Sequence, residues 1–317
     1  FTALSKAGIT VWGHQFEEVS AEGDFLSDVK AYYSFDETPI VNQYNEYQRA
    51  TLHKEGSNSV PTLQTDGARK GKVLHTNFGA NGNTSHAKFI NPLYKDALEN
   101  GATIAFWVKV PDENLWDALF AFYNTQNGSR LYMTGNTYVG YNSMTNNNNS
   151  ITWIDLNHPN GFSSGNINFG SWNFITLTIS ATDGIKLYVD GNYRPFQRCS
   201  GSVNSNAISG ESGFDYNYII NHIRDCSNFY LGYGSFWGST NASYDELLFY
   251  NRVLAENEVK ALYQAETVND FTTTGILEIE QDKQSVDNKI YDLQGRPVAN
   301  PTSKGMYIKN GSKYIVK

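Results

Sequence analysis

The residues best suited to chemistry are aromatic side chains set beside planar polar ones. Trp116, Tyr123, Arg130, Trp153, Asp155, Asn157, His158 and Trp237 lie in or beside segments that read as loops. An aromatic face stacks on the apolar face of a sugar ring, and Arg, Asn, Asp and His add directional hydrogen bonds around it. These eight are the ligand-binding candidates. An alternating aromatic more often belongs to a core, and Trp107 and Trp172 are assigned there.

Other constellations fall short of a reaction. Gly161-Phe-Ser163-Ser-Gly165 has nucleophile-elbow spacing, but a Gly/Asn-rich stretch and a strand follow it instead of a helix. The six His include no H-x-x-x-H pair, which removes the usual zinc spacing. Gly67 to Lys72, GARKGK, lacks both the P-loop spacing and its Ser/Thr. No catalytic residue is assigned.

Cys199 and Cys226 flank a polar stretch. Pairing them would close a loop of ~28 residues and stabilise the fold by roughly 3.6 kcal/mol through chain entropy. The alternative is two separate thiols. Pairing is the expectation for polar loops of an exported chain.

The elements that must position these residues are strands. Gly (27), Tyr (21) and Phe (18) against only 3 Met favour strands and turns over long helices. Ile175, Leu177 and Ile179 alternate with Thr176, Thr178 and Ser180, and Ile185, Leu187 and Val189 alternate with Lys186, Tyr188 and Asp190. Asp183-Gly184 joins these runs as a hairpin, and Asp190-Gly191 is a second turn. Further strands are read at 31–37, 72–78, 103–110, 119–123, 130–133, 151–156, 228–234 and 242–250. Residues 42–70 and 199–227 read as polar loops. Val259, Leu262 and Tyr263 share one helical face, which predicts one short helix over 256–264.

Net charge is −8, from 24 Lys and Arg against 32 Asp and Glu, so there is no basic footprint for nucleic acid. No apolar run reaches a membrane span. The chain begins at Phe1 rather than Met, which reads as the loss of a targeting segment. The expected organisation is an N-terminal extension at 1–28, a main body at 29–265, a linker at 266–275 and a small C-terminal β-module at 276–317. Residues 1–28 are either a leading strand or the tail of a preceding unit.

Five stretches together resemble the concanavalin A-like, laminin-G-like jelly-roll family. They are YYSFDE (32–37), TIAFWVK (103–109), WNFITLTISATDGIKLYVDGN (172–192), FYLGYG (229–234) and YDELLFYNRVLAENEVKALY (244–263). Ala255 departs from the Ser or Thr that commonly caps the helix of that last motif. The resemblance implies an all-β fold, a two-layer antiparallel β-sandwich. It also implies a structural calcium ion, with Asp36, Gly71 and Asp245 at the matching positions; hard oxygen ligands suit that ion. Jelly-roll glycosidases of the laminarinase type carry E-x-D-x-x-E on one strand. The nearest stretch, Glu278-Ile-Glu280-Gln-Asp282, lacks the third acid at that spacing. Residues 287–317 resemble the C-terminal secretion tails of Bacteroidetes proteins through Tyr291, Asp292, Gly295, Arg296, Gly305, Tyr307 and Lys317. That implies an extracellular, cell-surface or periplasmic protein. The expected function is a non-catalytic binding module for glycans or glycoproteins. The alternatives are a protein-binding adhesion domain, and a glycoside hydrolase or lyase whose site is not recognisable in sequence.

Overall fold

The computed structural model describes residues 28–80, 82–111, 117–144, 151–157, 167–195, 200–203, 206–209, 215–234 and 238–264, and, near the C-terminus, 290–291, 297–298, 305–309 and 312–316. The chain divides into two compact units between Thr272 and Thr273.

The first unit starts with β1 (Val29–Tyr33), β2 (Val41–Asn42), β3 (Asn45–Lys54), β4 (Thr62–Gln64), β5 (Val73–Thr76), β6 (Ser85–Ile90) and β7 (Ala102–Lys109). It continues through β8 (Ala118–Tyr123), β9 (Arg130–Thr134), β10 (Val139–Met144), β11 (Ile151–Asn157), β12 (Trp172–Ser180), β13 (Gly184–Val189) and β14 (Asn192–Arg194). It ends with β15 (Ser200–Val203), β16 (Asn206–Ser209), α1 (Asn217–Asp225), β17 (Asn228–Leu231), β18 (Ala242–Tyr250) and α2 (Glu256–Gln264). An eight-stranded sheet has the order β14-β13-β12-β7-β18-β5-β4, with β1 also paired to β18. A ten-stranded sheet has the order β16-β15-β11-β10-β9-β8-β17-β6-β3-β2. Every ladder between these strands is antiparallel. The expected two-layer antiparallel sandwich is therefore what the chain forms.

Period-two alternation sends one side of each sheet inward. Ile104, Phe106, Val108, Leu177, Ile179 and Leu187 meet Phe89, Phe120, Phe122, Leu131 and Phe229 in one continuous core. Phe229 lies 4.9 Å from Phe249 across the layers, ring edge to ring face, and 5.0 Å from Phe122 beside it. Each such side chain contributes roughly 1.5–3 kcal/mol through burial. The β12–β13 hairpin turns at Gly184 (φ +72°), and β13–β14 turns on Asp190 (φ +52°) and Gly191 (φ +71°). Asp190 accounts for its strained backbone by accepting from the Phe174 amide at 2.8 Å.

The outer side of the eight-stranded sheet is covered by α2. Leu254, Val259 and Leu262 pack on Tyr32, Ala105, Phe174, Tyr188, Leu248 and Tyr250. Trp107 joins this outer layer, 5.2 Å from Phe174 and 5.7 Å from Tyr263, and it is half-buried, as is Trp172. Neither is an inter-sheet core residue. Trp107 stands at the opposite parity from Phe106 and Val108, so its large ring needs the helix as cover. With Ala255 ahead of the helix, the Glu258 carboxylate reaches back to accept from the Ala255 amide at 2.7 Å. That supplies one half of a capping box.

Three further expectations are corrected. The segment read as loop over 42–70 contains β2, β3 and β4. The segment read as loop over 199–227 contains β15, β16 and α1, so the described residues of the first unit include two short helices. Cys226 is a free thiol. Its sulfur donates to the Asn228 carbonyl at 3.2 Å and is packed into the core directly after α1, not exposed on a loop. Cys199 lies outside the described residues. The second unit pairs β19 (Ile290–Tyr291), β20 (Pro297–Val298), β21 (Gly305–Lys309) and β22 (Ser312–Val316) in the order β20-β19-β21-β22. No helix among the described residues is long and apolar enough to cross a membrane.

Candidate functional site

The ten-stranded sheet carries a cluster of polar-tipped aromatics on its outer side. Strand parity selects them. While Phe89, Phe229, Phe122 and Leu131 face the core, the register sets Thr51 beside Lys88, Lys88 beside Tyr230, Tyr230 beside Ala121, Ala121 beside Tyr132, and Tyr132 beside Gly140. A second row runs Tyr123, Arg130, Asn142 and residue 153. Gly140 lets Tyr132 lie across its strand, because a Cβ there would meet the Tyr132 hydroxyl at 2.6 Å.

The rings form one packed group. The His86 imidazole stacks on Tyr233 at 4.7 Å and on His53 at 5.4 Å. Tyr230 lies 5.6 Å from His86 and 5.9 Å from both Tyr123 and Tyr233. The Arg130 guanidinium sits 4.7 Å above Tyr123 and is fixed by donating to the Gly128 carbonyl at 3.1 Å and the Gly234 carbonyl at 3.3 Å. Lys88 Nζ stands 6.0 Å from the Tyr230 ring. Tyr123, Tyr233 and Lys88 are half-buried and His53 is exposed, so they form the accessible rim, while His86 and Tyr230 are buried beneath.

Burial sets the charge of this face. It pushes the His86 imidazole down to about 4, with His53 and Lys88 adding to the effect, so His86 is neutral near pH 7. Burial raises the Tyr230 phenol, which stays protonated. Arg130 is lowered by desolvation but remains a cation. The face thus offers neutral aromatic rings with hydroxyl tips beside a positioned guanidinium. This is a surface for stacking and hydrogen bonding.

Of the sequence candidates, Tyr123 and Arg130 come together here. Trp153 is set opposite Asn142, Asp155 opposite Gly140, and Asn157 opposite Val139 by the β10–β11 register. Trp116, His158 and Trp237 lie outside the described residues. Sequence reasoning missed His86, Lys88, Tyr230 and Tyr233. For His86, Lys88 and Tyr230 the available signal was parity, opposite to that of Phe89, Phe229 and Leu231 in the same strands; Tyr233 lies past the end of β17 and carried no such signal.

The three positions matched to calcium lie at the other sheet. Gly71 (φ +71°) packs on Asp36, leaving no room for a Cβ, which would fall 1.7 Å from Asp36 Oδ1. That oxygen accepts from the Lys72 amide at 2.9 Å. Asp245 is buried, with Oδ2 paired to Arg69 Nε at 2.7 Å and Oδ1 accepting from the Glu246 amide at 3.1 Å. Glu246 is buried beside it and accepts from the Tyr32 hydroxyl at 2.5 Å. Burial raises both acids; Arg69 opposes this at each, Asp36 reinforces it at each, and Asp245 reinforces it at Glu246. Calcium takes six to eight oxygens. Here the carboxylates already serve protein donors and a guanidinium, so as arranged they do not fit that ion. Among the described residues, no group of three His, Cys, Asp or Glu is set to hold a metal.

The family model of the concanavalin A-like lectin/glucanase superfamily, laminin G type, matches residues 81–260. Domain 4 of AbnA, a GH43 extracellular arabinanase from Geobacillus stearothermophilus solved with arabinotriose, is similar in structure. It is 16% identical with a TM-score of 0.50, over 75% of this chain and 98% of that one. The binding domain of botulinum neurotoxin serotype D/C is 11% identical with a TM-score of 0.48, over 86% of this chain and 56% of that one. The binding domain of Paraclostridial Mosquitocidal Protein 1 is 17% identical with a TM-score of 0.45, over 88% and 58%. The chain thus spans little more than half the length of these toxin domains. No curated protein matches. With more than half its length matched and its two sheets stacked as a sandwich, the chain belongs to the concanavalin A-like lectin/glucanase superfamily.

Proposed function

We propose that the first unit is a non-catalytic module that binds carbohydrate on the outer face of its ten-stranded sheet. The observation that carries this reading is the union of Tyr123, Tyr230, Tyr233 and His86 with a guanidinium pinned over Tyr123. A sugar ring needs an aromatic face to stack on and fixed planar donors at its rim, and this cluster offers both. The arabinanase domain solved with arabinotriose has the same fold, which supports the reading. Export rests on the resemblance of 287–317 to secretion tails and is part of the proposal.

A glycan array probed with the full chain tests it. The expected result is a defined family of oligosaccharides bound by the wild type. A blank array together with capture of a protein partner would favour an adhesion domain instead. Release of reducing sugar from plant or host polysaccharides would replace the non-catalytic reading with hydrolysis, and release of unsaturated sugar would replace it with a lyase.

A further inference from the structure

We infer that Arg69 is the resident counter-cation of this domain: its guanidinium neutralises the buried acids around Asp245 in place of the calcium ion that the family resemblance implies. Two acids adjacent in the chain, Asp245 and Glu246, are both buried here, at 0% and 2% exposure. A buried carboxylate needs a partner charge. Arg69 supplies it at 2.7 Å, with the two side chains only 7% and 1% exposed, so the pair lies out of reach of screening by water.

The surroundings are built to hold the guanidinium. It lies 4.4 Å over the Trp107 ring and 5.8 Å from Trp172. The loop that carries it is pinned as well. Asp66 Oδ1 accepts from the Ala68 amide at 2.9 Å, its backbone carbonyl accepts from the Arg69 amide at 3.0 Å, and its Oδ2 accepts from Lys109 Nζ at 2.9 Å. Stacked indoles favour the flat, weakly hydrated guanidinium over a hydrated divalent ion. An ion bound beside Asp245 would sit against a fixed positive charge.

Thermal melting of the full chain in excess EDTA and in millimolar calcium tests the inference. The wild type and Arg69→Lys, which keeps the charge, are expected to melt at the same temperature in both buffers. Arg69→Ala is expected to lose several degrees in EDTA and to regain part of that loss in calcium, because the acids are then left without a cation. If Arg69→Ala does not fold in EDTA, the double variant R69A/D245N, which removes both charges, is expected to restore folding and to ignore calcium. A wild type that shifts between EDTA and calcium overturns the inference. So does an Arg69→Ala variant as stable as the wild type in EDTA, a loss that calcium leaves untouched, or a double variant that stays unfolded.

Discussion

His222 makes the stability of the sandwich depend on pH in a calculable direction. It sits in the last turn of α1, and its Nε2 lies 2.9 Å from the Phe122 carbonyl. A carbonyl only accepts, so Nε2 carries a proton. The hydrogen bond to the Phe122 carbonyl and the Asp225 carboxylate both favour a charged ring. Burial outweighs them and pushes the imidazole from 6.5 down to about 4. The folded state therefore binds this proton more weakly than the unfolded chain does. The associated stability is complete above about pH 6.5 and is lost as pH falls toward about 4. The fall from 6.5 to about 4 sets a ceiling of about 3 kcal/mol, and about 2 kcal/mol of it is gone at about pH 5. Urea unfolding of the wild type and His222→Gln at about pH 7 and about pH 5 isolates the group, since other titrations are common to both. Glutamine keeps an N–H for Phe122, so the variant should lose about 2 kcal/mol less between those conditions. Equal losses in the two proteins would refute the reasoning.

Other perturbations read other parts of the molecule. Cys226 is 1% exposed and burial raises its thiol to about 11. It should resist alkylation in the native protein and react in denaturant without reductant; a requirement for reductant would mean that it is paired. Ala255→Ser adds the missing cap oxygen to α2 and should stabilise the first unit by about 0.5–1 kcal/mol, read by denaturant titration. Gly140→Ala pushes a Cβ against the Tyr132 hydroxyl. It should cost about 1–3 kcal/mol in unfolding experiments and weaken glycan binding by disturbing the outer face.

The legible parts of the sequence were those with strong alternation and a local turn. The 172–192 hairpin carries both, although Ser180 pairs with Gly184, so the loop is the three residues 181–183 with only Gly184 at positive φ and not a two-residue Asp183-Gly184 turn. β3, NEYQRATLHK, was missed because it lies near the sheet edge and is largely exposed, so its hydrophobic signal is thin. α1 was missed because Ile219, Ile220 and Ile223 sit among polar residues and span little more than one turn of pattern. At the site, Tyr123 and Arg130 could be nominated by residue type and loop proximity. His86 and Tyr230 could not, because their relation depends on β17 lying between β6 and β8, partners more than 100 residues away in the chain. Arg69 stayed hidden for the same reason: its partner Asp245 is 176 residues distant.

Calorimetric titration of the strongest array oligosaccharide into the wild type, Tyr123→Ala and Tyr233→Ala tests the carbohydrate-binding face most directly. Both tyrosines stand half-exposed at its rim, so the variants should keep the wild-type melting temperature within a few degrees. Loss of a stacking face should weaken each variant by about tenfold or more, roughly 1.4 kcal/mol. Wild-type affinity in both stably folded variants would contradict the assignment of this face.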